Sequence, residues 1–73
     1  MKIVIESIYY EDILFFVEFS YETPHITTIT PLYAESIKLE DSDIDLIEVL
    51  DSVIMDRIID LAEANLKSKL TQP

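Results

Sequence analysis

Fifteen carboxylates, one histidine, six serines and no cysteine are the groups with which this 73-residue sequence could do chemistry. The densest carboxylate cluster, Asp41-Ser42-Asp43-Ile44-Asp45, has the acid spacing with which a calcium loop opens. Such a loop needs glycine at its sixth position to turn and a bidentate glutamate at its twelfth. Counted from Asp41, those positions hold Leu46 and Ser52, so the cluster reads as the acidic start of a helix and no metal site is expected. His25 follows Pro24 and has no neighbouring carboxylate to orient it, which makes it a solvated turn residue rather than a general base. No serine sits in a glycine-flanked elbow, and a chain with no glycine cannot build the usual phosphate-cradling loop. Acids along a solvated helix are not a glycosidase pair, and a chain this short offers little cleft. No enzymatic activity and no cofactor are expected.

Composition narrows the partners. Fifteen acids against five Lys and Arg give a formal charge of -10. Direct nucleic-acid binding needs cations to neutralise phosphates, and anionic membranes are disfavoured for the same reason. A basic protein is the partner such a surface fits. The charge also opposes the compact state through self-repulsion, so added salt should raise the melting temperature. No apolar run approaches the roughly 20 residues of a membrane span. Met1-Lys2-Ile3-Val4-Ile5-Glu6 is too short an apolar start for a signal peptide. With cysteine absent, the expected compartment is the cytoplasm. A single domain of this size buries about 60% of its unfolded surface and is marginal alone, which favours oligomerisation.

The elements that must position these acids follow from periodicity. Ile13, Phe15, Val17, Phe19 and Tyr21 alternate with Glu18, Ser20 and Glu22, a strand over about 13–22. A β-branched run predicts a strand over about 2–9, and Tyr9-Tyr10-Glu11-Asp12 a hairpin connection. Without glycine that connection is expected to be longer than the tight two-residue type. Glu22-Thr23-Pro24-His25 is the next turn, Ile26–Thr30 a third strand, and about 33–40 a fourth with Ile37 and Leu39 inward. Pro31 argues for a bulge or an edge position between them. Ser42 as N-cap, with Asp43 and Asp45 in the first turn, predicts a short helix over about 44–50. A break with Asp51 or Ser52 as a new cap then starts a longer helix over about 53–69. The expected class is α+β: an antiparallel sheet of three to four strands packed against a C-terminal helix, β-β-β-α, with one short helix before it.

Two surfaces stand out on this framework. Glu40, Asp41, Asp43, Asp45, Glu48 and Asp51 follow one another with no base between them, and Asp56, Asp60 and Glu63 continue along one stripe of the long helix. Four helical residues rise about 6 Å, comparable to every second phosphate of a strand at about 3.4 Å axial rise. Such a row could occupy a basic groove that normally holds nucleic acid, or it could be a solvated face that keeps a small protein soluble. The long helix also carries two apolar stripes, Ile54/Ile58/Leu61 and Met55/Ile59/Ala62/Leu66, and a small sheet can cover one. Met55, Ile59 and Leu66 are therefore candidates for a homodimer or partner surface. Tyr9, Tyr10, Tyr21 and Tyr33 are candidate interface anchors.

The run Ile37–Leu46 with Leu50 and the Ile54/Ile58 helix resembles short uncharacterised proteins of tailed bacteriophages, in which a strand ends in an acidic turn before a C-terminal helix. Pro31-Leu32-Tyr33-Ala34-Glu35-Ser36 is similar to a strand-to-helix passage in a phage inhibitor of host RNA polymerase, although here Ile37 to Asp41 intervenes. The resemblance extends to small acidic phage counter-defence proteins, including anti-CRISPR proteins and other DNA mimics. It implies an inhibitor, in the host cytoplasm, that binds a basic nucleic-acid-handling host protein through Glu40, Asp41, Asp43, Asp45, Glu48, Asp56, Asp60 and Glu63. The alternative is a structural or assembly module that forms a homodimer through the apolar side of its C-terminal helix.

Overall fold

The computed structural model describes residues 1–71. Three strands, β1 (Lys2–Tyr10), β2 (Ile13–Tyr21) and β3 (Tyr33–Leu39), precede one helix, α1 (Ser52–Thr71). The sheet is antiparallel in the order β1-β2-β3, so the architecture is β-β-β-α. Alternation places Val4, Glu6, Ile8 and Tyr10 of β1 against Phe19, Val17, Phe15 and Ile13 of β2 on one face. Ile37 completes that face from β3, and Ile58, Ala62 and Leu66 of α1 close the core over it. Val17, Phe19, Ile37 and Ile58 are fully buried. Each such side chain contributes about 1.5–3 kcal/mol by leaving water.

The β1–β2 connection is tighter than expected. Tyr10 pairs directly with Ile13, leaving a two-residue loop in which Glu11 (φ 51°) and Asp12 (φ 67°) are both left-handed. That conformation matches the twist of paired strands, and glycine is merely its cheapest occupant. Nine cross-strand pairs hold two non-glycine residues there.

The expected strand over Ile26–Thr30 is absent. Thr30 N–H donates to the Thr27 carbonyl at 3.2 Å, and Thr27 N–H donates to Thr30 Oγ1 at 2.7 Å, closing a turn between Pro24 and Pro31. Hydroxyls bonding locally compete with a sheet ladder for the same backbone groups. The loop still serves the core, because Ile26 and Leu32 pack against it. The bulge falls at Glu35 rather than at Pro31: Glu18 pairs with Ser36 and Phe19 with Ala34, so Glu35 is the extra residue. Leu39, expected inward, is partly exposed where β3 ends.

The expected helix over about 44–50 is also absent. Leu46 N–H donates to the Ile37 carbonyl at 2.7 Å, and the Asp45 carboxylate takes the Ile37 and Ile47 N–H groups. Ser42 Oγ accepts from Ile44 N–H at 3.1 Å, a local turn that no helix follows. One turn forms, with Val49 and Leu50 N–H on the Leu46 carbonyl, before Asp51 begins α1. Asp51 accepts from Val53 N–H at 2.9 Å through its side chain and from Met55 N–H at 2.8 Å through its carbonyl, the geometry of an N-cap. Leu46, Ile47 and Leu50 thus reach the core from an irregular segment.

Candidate functional site

The acidic region from Glu35 to Glu63 holds ten carboxylates and two bases, Lys38 and Arg57. Four of the ten are used by the fold. Glu35 accepts from the buried Ser20 hydroxyl at 2.7 Å. Asp45 Oδ1 lies 3.1 Å from Ile37 N and 3.0 Å from Ile47 N. Asp51 caps α1. Glu63 pairs with Lys67 one turn on, at 3.2 Å. The other six, Glu40, Asp41, Asp43, Glu48, Asp56 and Asp60, are exposed and make no hydrogen bond or ion pair among the described residues.

Two acids of the expected binding set have partners within the fold. Asp45 is a latch: two backbone N–H groups stabilise its carboxylate, first Ile47 and then Ile37, and hold the carboxyl below its ordinary value of 3.8. Glu63, the last acid of the helical row, shares a partly exposed ion pair with Lys67. The row also lacks a single helical spacing. Asp56 and Asp60 sit one turn apart on α1, whereas Glu40, Asp41, Asp43 and Glu48 lie on the irregular segment that Asp45 and Leu46 bind to β3. The result is an acidic segment, 40–50, tethered to β3 through Asp45 and Leu46, with Asp56 and Asp60 following on α1. Ile44 and Val49 are exposed within it.

The apolar stripe expected to be free is not free. Leu66 is buried in the core, and Met55 and Ile59 pack against it. The sheet took Ile58 with the second stripe, leaving Ile54 and Leu61 of the first stripe 39% and 45% exposed. The tyrosines do not converge. Tyr9 and Tyr33 are exposed at opposite ends of the outer sheet face, opposite Leu14 and Ser20, while Tyr10 and Tyr21 are half-buried.

Two depressions mark the surface, one lined by Ile13, Leu14, Leu39, Glu40, Asp41 and Ser42, the other by Glu22, Thr23, Pro31 and Tyr33. The first opens broadly to water. His25 is exposed, and its carbonyl accepts from the Thr23 hydroxyl at 2.8 Å. Among the described residues no group of three His, Cys, Asp or Glu is placed to hold a metal ion, and no helix is long and apolar enough to cross a membrane. No protein-family model, curated protein or solved structure matches this chain.

Glu6 was not among the expected site residues. Its side chain faces the core from β1, is 4% exposed, and receives the Lys69 ammonium at 2.6 Å. Its inward parity with Val4 and Ile8 was the available signal, and the partner lies 63 residues away.

Proposed function

We propose that this chain is a non-enzymatic binding protein whose acidic patch docks on a basic surface of a protein that handles nucleic acid. The supporting observation is the set of six carboxylates, Glu40, Asp41, Asp43, Glu48, Asp56 and Asp60, left without partners while their neighbours Asp45 and Asp51 fix the backbone beneath them. Carboxylates needed only for solubility can sit anywhere, whereas these six share 21 consecutive residues, 40–60, and the bases among them are confined to Arg57. A concentrated potential of one sign speeds encounter with an oppositely charged groove and fixes orientation on it. Ile44 and Val49 supply exposed apolar contact area inside the patch, where a desolvated interface centre is needed. Occupying such a groove would exclude nucleic acid, which is how an inhibitor of the counter-defence type acts.

The experiment is affinity capture from cell lysate, at low and high salt, with the native chain and with Asp41→Asn/Asp43→Asn/Glu48→Gln. Basic nucleic-acid-binding proteins should be held by the native chain at low salt and released at high salt, and the triple variant should hold far less. Equal capture by both chains would leave the patch as a solvated face.

A further inference from the structure

We propose that β1 is a self-association edge, and that two copies of this chain pair their β1 strands antiparallel across a two-fold axis to form one six-stranded sheet. This is independent of the acidic patch, and it replaces the helix face that Met55, Ile59 and Leu66 bury internally.

The two edges of the sheet differ. At β3 the outward N–H and C=O of Ile37 are taken by Asp45 Oδ1 and by Leu46 N–H, and the Glu35 bulge interrupts the ladder further along. At β1 the nine residues pair with β2 without a register shift, contain no proline, and receive no further backbone hydrogen bond among the described residues. The pair that closes a two-residue hairpin shares both of its hydrogen bonds. Tyr10 and Ile13 are that pair, so the even residues of β1 bond β2 and Ile3, Ile5, Ser7 and Tyr9 aim their backbone groups outward. The parity agrees with β3, where Ile37 lies opposite Val17 and turns its own groups away from β2. A long, regular, apolar edge is a template for another strand unless something blunts it.

Apolar surface flanks this edge on both sides. On the outer sheet face Ile3 and Ile5 are 47% and 58% exposed. On the inner face α1 packs chiefly on β1 and less on β2. The flank of α1 that carries Met55 and Ile59 is shielded, which turns it toward β2 and the 46–50 segment. The opposite flank, with Ile54 and Leu61, is exposed, and with α1 resting chiefly on β1 the proposed pairing requires that flank to lie on the free side of β1. Joining two β1 edges would bury Ile3 and Ile5 below the new sheet centre and bring the Ile54/Leu61 flanks of two helices together above it.

Charge selects a second copy as the occupant. Within β1 the charged residues are Lys2 and Glu6, which cancel, in a chain of formal charge -10. Glu6 is an inward-pointing charge of the kind that guards edges, but the Lys69 ammonium at 2.6 Å neutralises it. Two strongly acidic chains can therefore meet at β1 with the least repulsion, and the acids of the 40–50 segment stay beside β3 at the far edge. The assembly closes at two copies, because pairing uses both β1 edges and leaves the blocked β3 edges outside.

The test is sedimentation of the purified chain from about 5 µM to about 500 µM, a range that spans ordinary dimer constants. It compares the native chain with Ile5→Pro, which removes an outward N–H and spares the β2 ladder, and Leu61→Gln, which keeps the helix and the charge. Val49→Gln, in the acidic patch, is the control, and far-UV circular dichroism checks each fold. The native chain should reach twice the chain mass, more readily as salt screens the two like-charged copies. Ile5→Pro and Leu61→Gln should each weaken the dimer tenfold or more, and Val49→Gln should not. Should Ile5→Pro fail to fold, Leu61→Gln decides. A native chain monomeric across the range, or a dimer unmoved by Leu61→Gln, would overturn the proposal.

Discussion

Asp45 Oδ1 accepts a hydrogen bond from the Ile37 N–H at 3.1 Å, and that bond, with Leu46 N–H on the Ile37 carbonyl at 2.7 Å, fastens the acidic segment along the edge of β3. Asp45 thereby becomes a structural element while its flanking acids Asp43 and Glu48 stay free. Removing it by Asp45→Ala should lower the melting temperature. The bonded carboxyl lies below its ordinary 3.8, so its stabilisation is complete above that value and disappears as pH falls through the lower folded value. The gap between native and Asp45→Ala melting temperatures should therefore be constant from pH 7 to about 5 and close in stronger acid. A gap that widens with acid would contradict the latch.

Glu6 and Lys69 join the first strand to the last turns of α1. Lys69→Met strands a buried carboxylate and should cost about 1–3 kcal/mol, measured by urea unfolding, the lower end reflecting water that reaches the exposed ammonium side. Glu6→Leu combined with Lys69→Met should recover most of that loss, since an apolar pair of similar volume needs no compensation. If the double variant is no better than Lys69→Met, the pair is not what the single variant disturbs.

Asp12, at φ 67°, occupies a position that glycine fills without strain. Asp12→Gly should raise stability by up to about 1 kcal/mol, the left-handed penalty less the entropy glycine adds to the unfolded chain. A drop in the urea midpoint would mean that Asp12 makes a side-chain contribution outweighing its backbone cost.

Like charge across six unpaired carboxylates opposes folding at low ionic strength. Raising salt from about 20 mM to about 500 mM should increase the melting temperature, because the screening length falls from about 20 Å to about 4 Å. The triple variant Asp41→Asn/Asp43→Asn/Glu48→Gln should show a smaller rise. An equal rise in both chains would place the repulsion elsewhere.

The alternation from Ile13 to Tyr21 and the cap at Asp51-Ser52 were legible in the sequence because both depend on neighbours within a few residues. The 44–50 segment was not. Asp43 and Asp45 favour a helix start locally, and the competing donor, Ile37 N–H, arrives from another element. The choice between apolar stripes of α1 was equally illegible, because it depends on Leu46, Ile47 and Leu50 covering the rest of the inner face from outside a helix. Absent glycine suggested long loops, yet Glu11 and Asp12 accept the left-handed turn that nine strand pairs impose. The acidic patch was visible as composition. Which of its members stay free was not, since Asp45, Asp51 and Glu63 are claimed by bonds that only the folded backbone and side chains define.

Binding of a basic protein by the free carboxylates is tested most directly by the salt dependence of affinity for a captured partner. Affinity between the native chain and that partner should fall at least tenfold between about 50 mM and about 300 mM salt, as attraction between exposed opposite charges is screened. Asp56→Asn/Asp60→Asn added to the triple variant should flatten that slope and weaken binding at every salt. Affinity unchanged by salt, or fully retained by the five-site variant, would contradict it.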